Sequence, residues 1–473
     1  MKVLLVAMPD TISALDAVMH MPNLGLCSIA GNLEGCEVKI VDLAFHSRNI
    51  ASFIRHIMNE FRPGIVGLSA MSFQYDSACR VAQICRSFDP EITTVLGGYH
   101  ASLLFEEIGS GEGAHLFDFI VRGEGEVVFQ RLVQELVSGR RNFDGIVGLS
   151  VRMEGRFQHN PPAPLLNLDS LKPPDRSCRV LDGARFLGRR FDCVETSRGC
   201  TMGCRFCSIA HMYGRSIRFF ALDRVVEDLR RLKQRGVEGV FFVDDNITLD
   251  VQRLKKLCDR IVAERLNSME YAIQASVKGI ASDEELAPRL KAAGFKWVFL
   301  GIESGIARNL DSMGKTGVLN NTRHAVSLLQ KQGIGIFGGF IIGNPDDSRE
   351  DIRSAYRFAL ELGVDHPIMQ CMTPYPKTEI REQLLAENLI INRDDFSLYN
   401  GFICNVRTRH MSGRELRAAM FWDGLRLYFN PRYLARSRFW RYRPVLWPSL
   451  AANNFRYLAG ALRGTMFASR HSW

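Results

Sequence analysis

No stretch of this 473-residue chain is both long and apolar enough to span a bilayer. The best run, Ile334 to Gly343, reaches about half the required length and is rich in glycine. The opening segment, Met1 to Pro9, carries an apolar run too short for a secretory signal and closed by proline. These absences predict a cytoplasmic chain. In that compartment twelve cysteines argue for buried thiols, catalysis or metal, not for disulfides. Nine of the twelve lack ligand spacing and read as small core residues. Low-complexity segments are missing too. With 46% hydrophobic and 23% charged residues, 40 Gly and 17 Pro, the composition is that of a globular enzyme, which excludes a disordered, collagen-like or disulfide-stapled chain. Lysine is absent from residues 411–473, which nevertheless hold eleven Arg and only two acids, Glu415 and Asp423. The whole net charge of +9 therefore lies in that segment, and the first 410 residues are neutral.

The length predicts two or three domains. Residues 1–140 alternate short apolar runs with amphipathic helical patterns, the rhythm of a doubly wound, Rossmann-like parallel sheet. Its expected strands end in Ser69-Ala70-Met71-Ser72, Gly97-Gly98-Tyr99-His100 and Gly123-Glu124-Gly125-Glu126, with Pro22-Asn23-Leu24-Gly25 nearby. Glycines at strand ends let a backbone approach a ligand at the switch point of such a sheet, although each loop alone also fits an ordinary turn. Residues 141–185 concentrate proline, as a linker does. Residues 186–400 carry about six further strand and helix units, which predicts a complete or partial (β/α) barrel with its chemistry at the strand C-terminal ends. Residues 401–473 form a helical, Arg- and aromatic-rich cap or docking segment.

Cys200, Cys204 and Cys207 stand within eight residues, just after the first barrel strand. Three soft thiolates at this spacing can converge on one inorganic centre. Iron–sulfur clusters normally take four cysteines, so three leave one iron open to a ligand. Zinc is the competing reading, with His211 as the local candidate for a fourth ligand.

The motif Cys200-x3-Cys204-x2-Cys207, with Phe206 before the third cysteine, resembles the signature of the radical S-adenosylmethionine enzymes. The likeness continues in order along the barrel. Asp244 and Asp245 follow the second strand, where that family carries an acidic cofactor-binding motif. Gly301-Ile302-Glu303-Ser304-Gly305 ends the fourth, and Glu303 resembles the family's ribose and amino-group contact. Gly339, Ile341 and Gly343 belong to an element similar to the one that lines the adenine. Tyr375-Pro376-Lys377-Thr378 stands in place of a usual Pro-Gly-Thr turn, with Lys377 replacing glycine and leaving the turn's shape open. The N-terminal region resembles the cobalamin-binding domain of the family's class B methyltransferases, with Ser69, Gly97, Gly98 and Tyr99 as its contacts. The Asp-x-His-x-x-Gly motif that places histidine beneath cobalt is absent.

The resemblance implies a [4Fe-4S] cluster on Cys200, Cys204 and Cys207, with S-adenosylmethionine and cobalamin as cofactors and a flavodoxin or ferredoxin as electron donor. It implies methyl transfer through methylcobalamin to an unactivated carbon, after hydrogen abstraction by a deoxyadenosyl radical. An anaerobic oxidative cyclase of tetrapyrrole synthesis, another radical C-methylation and a non-catalytic scaffold are the alternatives. Methylthiotransferases fit less well, because Cys27, Cys36, Cys79 and Cys85 lack the pattern of a second cluster. In length, domain order and tail the chain is similar to the hopanoid methylases, which implies C-3 methylation of an apolar lipid. The tail interleaves Arg432, Arg436, Arg438, Arg441 and Arg443 with Phe439, Trp440 and Tyr442. That composition suits the interface of an anionic membrane, or a helical cap with its arginines outward. Nucleic acid is disfavoured, because the neutral remainder supplies no basic groove.

Overall fold

A computed structural model describes residues 1–10, 21–46, 48–438 and 473. The chain divides into two compact units, one containing residues 1–184 and the other residues 185–438.

In the first unit, β1 (Lys2–Ala7), β2 (Glu37–Asp42), β3 (Ile65–Ser69), β4 (Thr93–Gly97) and β5 (Phe119–Val121) pair in parallel in the order β2-β1-β3-β4-β5. The strands are nearly continuous apolar runs because helices cover both faces. One such helix, Ile50–Phe61, buries Ile50, Ile54, Ile57, Met58 and Phe61 at helical spacing. The strand order reverses between β1 and β3, and in open parallel sheets the crevice at the C-terminal ends of the two strands flanking such a point is where ligands bind. A hairpin turning at Glu154-Gly155 follows, built from β6 (Leu149–Met153) and β7 (Arg156–His159). It joins this sheet antiparallel to β5, so the sheet is mixed at that edge.

In the second unit, a short edge strand β8 (Arg185–Phe186) precedes β9 (Arg189–Val194). A two-stranded ribbon, β10 (Ser197–Arg198) with β11 (Arg218–Phe219), brackets the cysteine segment. Then follow β12 (Gly239–Phe242), β13 (Glu270–Ser276), β14 (Phe295–Glu303), β15 (Gly335–Ile342) and β16 (His366–Cys371). The six strands β9 and β12 to β16 pair in parallel in chain order, a partial barrel with β8 antiparallel at its edge. Its helices follow the sequence pattern, including Leu222–Gln234, Val251–Ala263 and Arg349–Leu362, the last opened by a Ser348/Asp351 capping box.

Two helices, Gly413–Tyr428 and Pro431–Arg436, complete the second unit. Tyr428 Oη donates to the Pro367 carbonyl at 2.7 Å and Tyr433 Oη to that of Asp365 at 3.2 Å, so these rings face the barrel. Buried Asp423 accepts from Arg349 and from Arg426. The sequence expectations for Phe439, Trp440, Arg441, Tyr442 and Arg443 lie outside the described residues. Among the described residues no helix is long and apolar enough to cross a membrane.

Each unit buries a histidine. His100 lies against Tyr75 with ring centroids 4.5 Å apart, and His366 between Phe337 and Tyr428 at 5.8 and 5.9 Å. Burial pulls both from 6.5 down to about 4. A depressed folded value means that the stabilisation is complete above pH 6.5 and is lost as the pH falls toward 4. Between pH 7 and pH 5 each unit is expected to lose about 2 kcal/mol from its histidine. Denaturant unfolding at the two pH values measures the loss, and His366→Phe should flatten it for the barrel unit alone.

Candidate active site

The C-terminal ends of the barrel strands carry the residues singled out in the sequence. Backbone pairing aligns Ser276 with Gly301 and Gly301 with Gly339 across β13, β14 and β15. After Gly301 the register shifts, and Glu303 pairs with Phe340. This irregularity coincides with a left-handed backbone at Glu303, φ 63°. Such a conformation in a non-glycine residue costs about 1–3 kcal/mol and persists where the surroundings impose it. The Glu303 side chain is held by an ion pair: Lys315 Nζ donates to Glu303 Oε1 at 2.5 Å. Lys315 is only 8% exposed. Sequence reading passed over Lys315, since nothing in Met313-Gly314-Lys315 distinguishes it from a solvated turn lysine.

The cysteine loop is anchored from three sides. At its root, Asp244 is turned inward, 1% exposed. Its carboxylate accepts from Thr196 N at 3.1 Å, Thr196 Oγ1 at 2.7 Å and Ser197 Oγ at 2.5 Å. Asp245 points to the loop itself and accepts from Gly199 N at 3.0 Å. Burial raises the Asp245 carboxyl to about 6, against the Gly199 hydrogen bond, with Asp244 adding to the rise. On the far side, Arg205 N donates to the Met313 carbonyl and its guanidinium to that of Ser312, both at 3.1 Å. The approach there is so close that a Cβ on Gly314, where φ is 75°, would stand 2.6 Å from the Gly203 carbonyl oxygen. Only glycine fits.

Cys200, Cys204 and Cys207 are half-buried in this loop. Burial raises all three thiols above their ordinary value, Cys207 to about 11, and Cys200 and Cys204 raise it further. His211, the fourth ligand of the zinc reading, is exposed on the short helix Ile209–Tyr213. Among the described residues no three His, Cys, Asp or Glu side chains are grouped to hold a single metal ion. A soft, three-thiol loop with a cationic neighbour fits an anionic iron–sulfur cluster better than a four-ligand zinc site.

At the β15 end, Gly339 and Ile341 lie on the buried strand, and Gly343 follows in a left-handed turn. Asp347 holds this turn, accepting from Gly343 N at 2.8 Å and Asn344 N at 2.9 Å. Asn344 is buried, yet its Oδ1 has no hydrogen-bond partner. A buried acceptor without a donor suits a bound polar group at this strand end. Lys377 settles the open question of the sixth-strand turn. It adopts φ 63°, and Thr378 closes the turn onto the Tyr375 carbonyl at 2.7 Å through Oγ1. The glycine-type shape survives with lysine in place.

In the first unit the register sets Ser69 beside Gly97. Gly98, with φ 93°, packs so tightly on Ala70 that a Cβ would stand 2.7 Å from the Ala70 carbonyl oxygen. Ser102 Oγ donates to the Gly98 carbonyl at 2.8 Å and accepts from Gly123 N at 2.9 Å. Adjacent strand-end loops are therefore stitched into one ledge, with Ser69, Gly97, Gly98 and Tyr99 half-exposed on it. At Gly97 an added Cβ would make only ordinary contact, 3.9 Å from the Leu68 and Val121 carbonyl oxygens. His100 is buried against Tyr75.

Sequence comparison agrees with this division. The model of the radical SAM superfamily matches residues 194–359, and that of the B12 binding domain matches residues 12–133. The chain is 32% identical over 444 residues to an uncharacterized methyltransferase of Pyrococcus horikoshii, covering 93% of this chain and 95% of that protein. It is 30% identical over 378 residues to the hopanoid C-3 methylase of Methylococcus capsulatus, covering 78% and 70%. The fold is similar to that of OxsB, a cobalamin-dependent S-adenosylmethionine radical enzyme whose structure holds aqua-cobalamin and S-adenosylmethionine. The TM-score is 0.72 at 18% identity, over 96% of this chain and 72% of the other.

Proposed function

From the premise that this chain belongs to the cobalamin-dependent methyltransferases of the radical SAM superfamily, we propose that it methylates an unactivated carbon of an apolar lipid, a hopanoid at C-3. The observation that carries the radical chemistry is the clamped three-thiol loop beside the Lys315–Glu303 pair. When bound, the cluster with S-adenosylmethionine supplies a hydrogen-abstracting radical, and cobalamin supplies a methyl carrier. Cys200, Cys204 and Cys207 would hold the cluster. Asp244 keeps the root of their loop in place, and Asp245 fixes its first amide. Glu303 would accept hydrogen bonds from the ribose or ammonium of S-adenosylmethionine, while Gly339, Ile341 and Gly343 would line its adenine. The buried β15 side chains around them exclude water that would quench a radical. Ser69, Gly97, Gly98 and Tyr99 carry the edge of cobalamin on their ledge.

The lipid assignment is supported by the likeness to the hopanoid C-3 methylase and by an apolar, cationic face on the helices after residue 412. Trp422 is 57% and Phe429 70% exposed, and Arg414 and Arg432 on the same two helices are exposed with no ion-pair partner among the described residues. The two acids of the segment are spent elsewhere, Glu415 in a capping box with Ser412 and Asp423 inward. An anionic membrane surface complements this face, with about 1 kcal/mol per arginine and the two rings adding their transfer free energy. Trp422→Ser with Phe429→Ser is expected to cut cosedimentation with phosphatidylglycerol vesicles about tenfold or more. Equal sedimentation of the double variant would remove this support.

The function itself is tested by incubating the anaerobically reconstituted protein with S-adenosylmethionine, a reductant and a hopanoid. Release of 5′-deoxyadenosine with a gain of one methyl group on ring A is expected. Deleting the gene in a hopanoid-producing host should abolish 3-methylhopanoids. Unchanged lipids would overturn the substrate and leave the family chemistry standing.

A further inference from the structure

Lys315 is a buried cation packed beside the proposed cluster site, and none of the cofactor contacts above is assigned to it. Its position is fixed by covalent and hydrogen-bonded geometry. Lys315 N donates to the Leu310 carbonyl at 2.7 Å, the Met313 carbonyl receives Arg205 N, and Gly314 touches the Gly203 carbonyl. The turn that carries Lys315 is thereby pressed against the middle of the Cys200–Cys207 loop. Lys315 Nζ stands 5.8 Å from the ring centroid of Phe206, which directly precedes Cys207 in that loop. Glu303, the ion-pair partner of Lys315, is largely buried as well, its side chain 12% exposed. Burial removes the water that would screen these charges.

Resting on the cluster reading of this loop, we infer that Lys315 and Glu303 form an opposed pair of buried charges that sets the reduction potential of the centre held by Cys200, Cys204 and Cys207. Reduction adds one negative charge to the centre. A fixed cation favours the reduced form and raises the potential; a fixed anion lowers it. The Glu303 partner keeps Lys315 protonated and holds its ammonium in one place, so the two effects are set against each other at defined positions.

The test is a potentiometric titration of the reconstituted protein without S-adenosylmethionine, followed by electron paramagnetic resonance. Lys315→Met is expected to shift the one-electron reduction equilibrium about tenfold toward the oxidised form, about 59 mV. Glu303→Gln is expected to shift it in the opposite direction, and Lys315→Arg to stay near wild type. Opposite signs from two partners of one ion pair are what a merely structural role would not give, since loss of either partner would then disturb the loop alike. Equal potentials, or shifts of the same sign, would overturn the inference. If Lys315→Met does not retain iron, Glu303→Gln decides: an upward shift supports the inference, and no shift or a downward one overturns it. A wild-type protein that takes up no cluster would instead bring down the cluster reading on which the inference rests.

Discussion

Replacing Cys200, Cys204 and Cys207 together by alanine is expected to abolish iron and sulfide uptake, and to reduce 5′-deoxyadenosine formation to background, at least about a thousandfold. The fold should survive. The thiols are half-buried on a loop whose shape is set by other groups: the Asp244 and Asp245 carboxylates, the Arg205 contacts and the close approach at Gly314. None of these involves a sulfur atom. Each single substitution should already remove most activity, because a cluster with three protein ligands has none to spare. The check is iron content and deoxyadenosine release beside a thermal melt. A triple variant that keeps its melting temperature and loses its iron is the expected result. Retention of iron and of deoxyadenosine release by the triple variant would exclude these cysteines as ligands.

The second large effect concerns Asp244 and acts on stability. Removing its side chain in Asp244→Ala leaves the Thr196 amide, the Thr196 hydroxyl and the Ser197 hydroxyl without their buried acceptor. Losing a buried carboxylate with several donors costs about 3–5 kcal/mol. The barrel unit should therefore unfold at lower denaturant, and cluster assembly should fail with it, since the unpaired residues lead directly into the cysteine loop. Asp244→Asn keeps one acceptor oxygen and should fall between. Burial, outweighing the bonds from Ser197 and Thr196, raises the Asp244 carboxyl above its ordinary 3.8. A raised folded value means that the folded state holds the proton more tightly. The Asp244 contribution to stability then declines as pH rises above about 4, and Asp244→Asn should remove that decline. Denaturant titrations at pH 5 and 7.5 measure both effects. A wild-type midpoint in Asp244→Ala would show that the loop root is held by something else.

Much of this site was legible in the amino-acid order because its parts are local. Cys200, Cys204 and Cys207 lie within eight residues, so any backbone that turns tightly there brings them together. The strand patterns before Asp244, Glu303 and Gly343 placed those residues at one end of a barrel, since parallel strands joined by helices must all point the same way. Ser69 and Gly97 were legible for the same reason and do lie side by side in register. Within the acidic pair the sequence could not divide the labour. Asp244 and Asp245 are adjacent and identical in kind, yet one carboxylate turns inward to Thr196 and Ser197 and the other reaches Gly199.

The sequence by itself determined the kind of chemistry and the location of the charge: three thiols at one strand end, a neutral body, and an arginine-rich, lysine-free segment after residue 410. Spacing along the chain and composition suffice for these, because they depend on neighbours a few residues apart. Only the tertiary structure decided that Lys315 is buried against Phe206 of the cysteine loop, that Glu303 pairs with it from a left-handed backbone, and that Trp422 and Phe429 face outward while Tyr428 and Tyr433 face the barrel. These depend on which distant segments pack together. A lysine in a Gly-Lys turn is an ordinary surface residue until another strand and another loop close over it, and burial then makes its charge count.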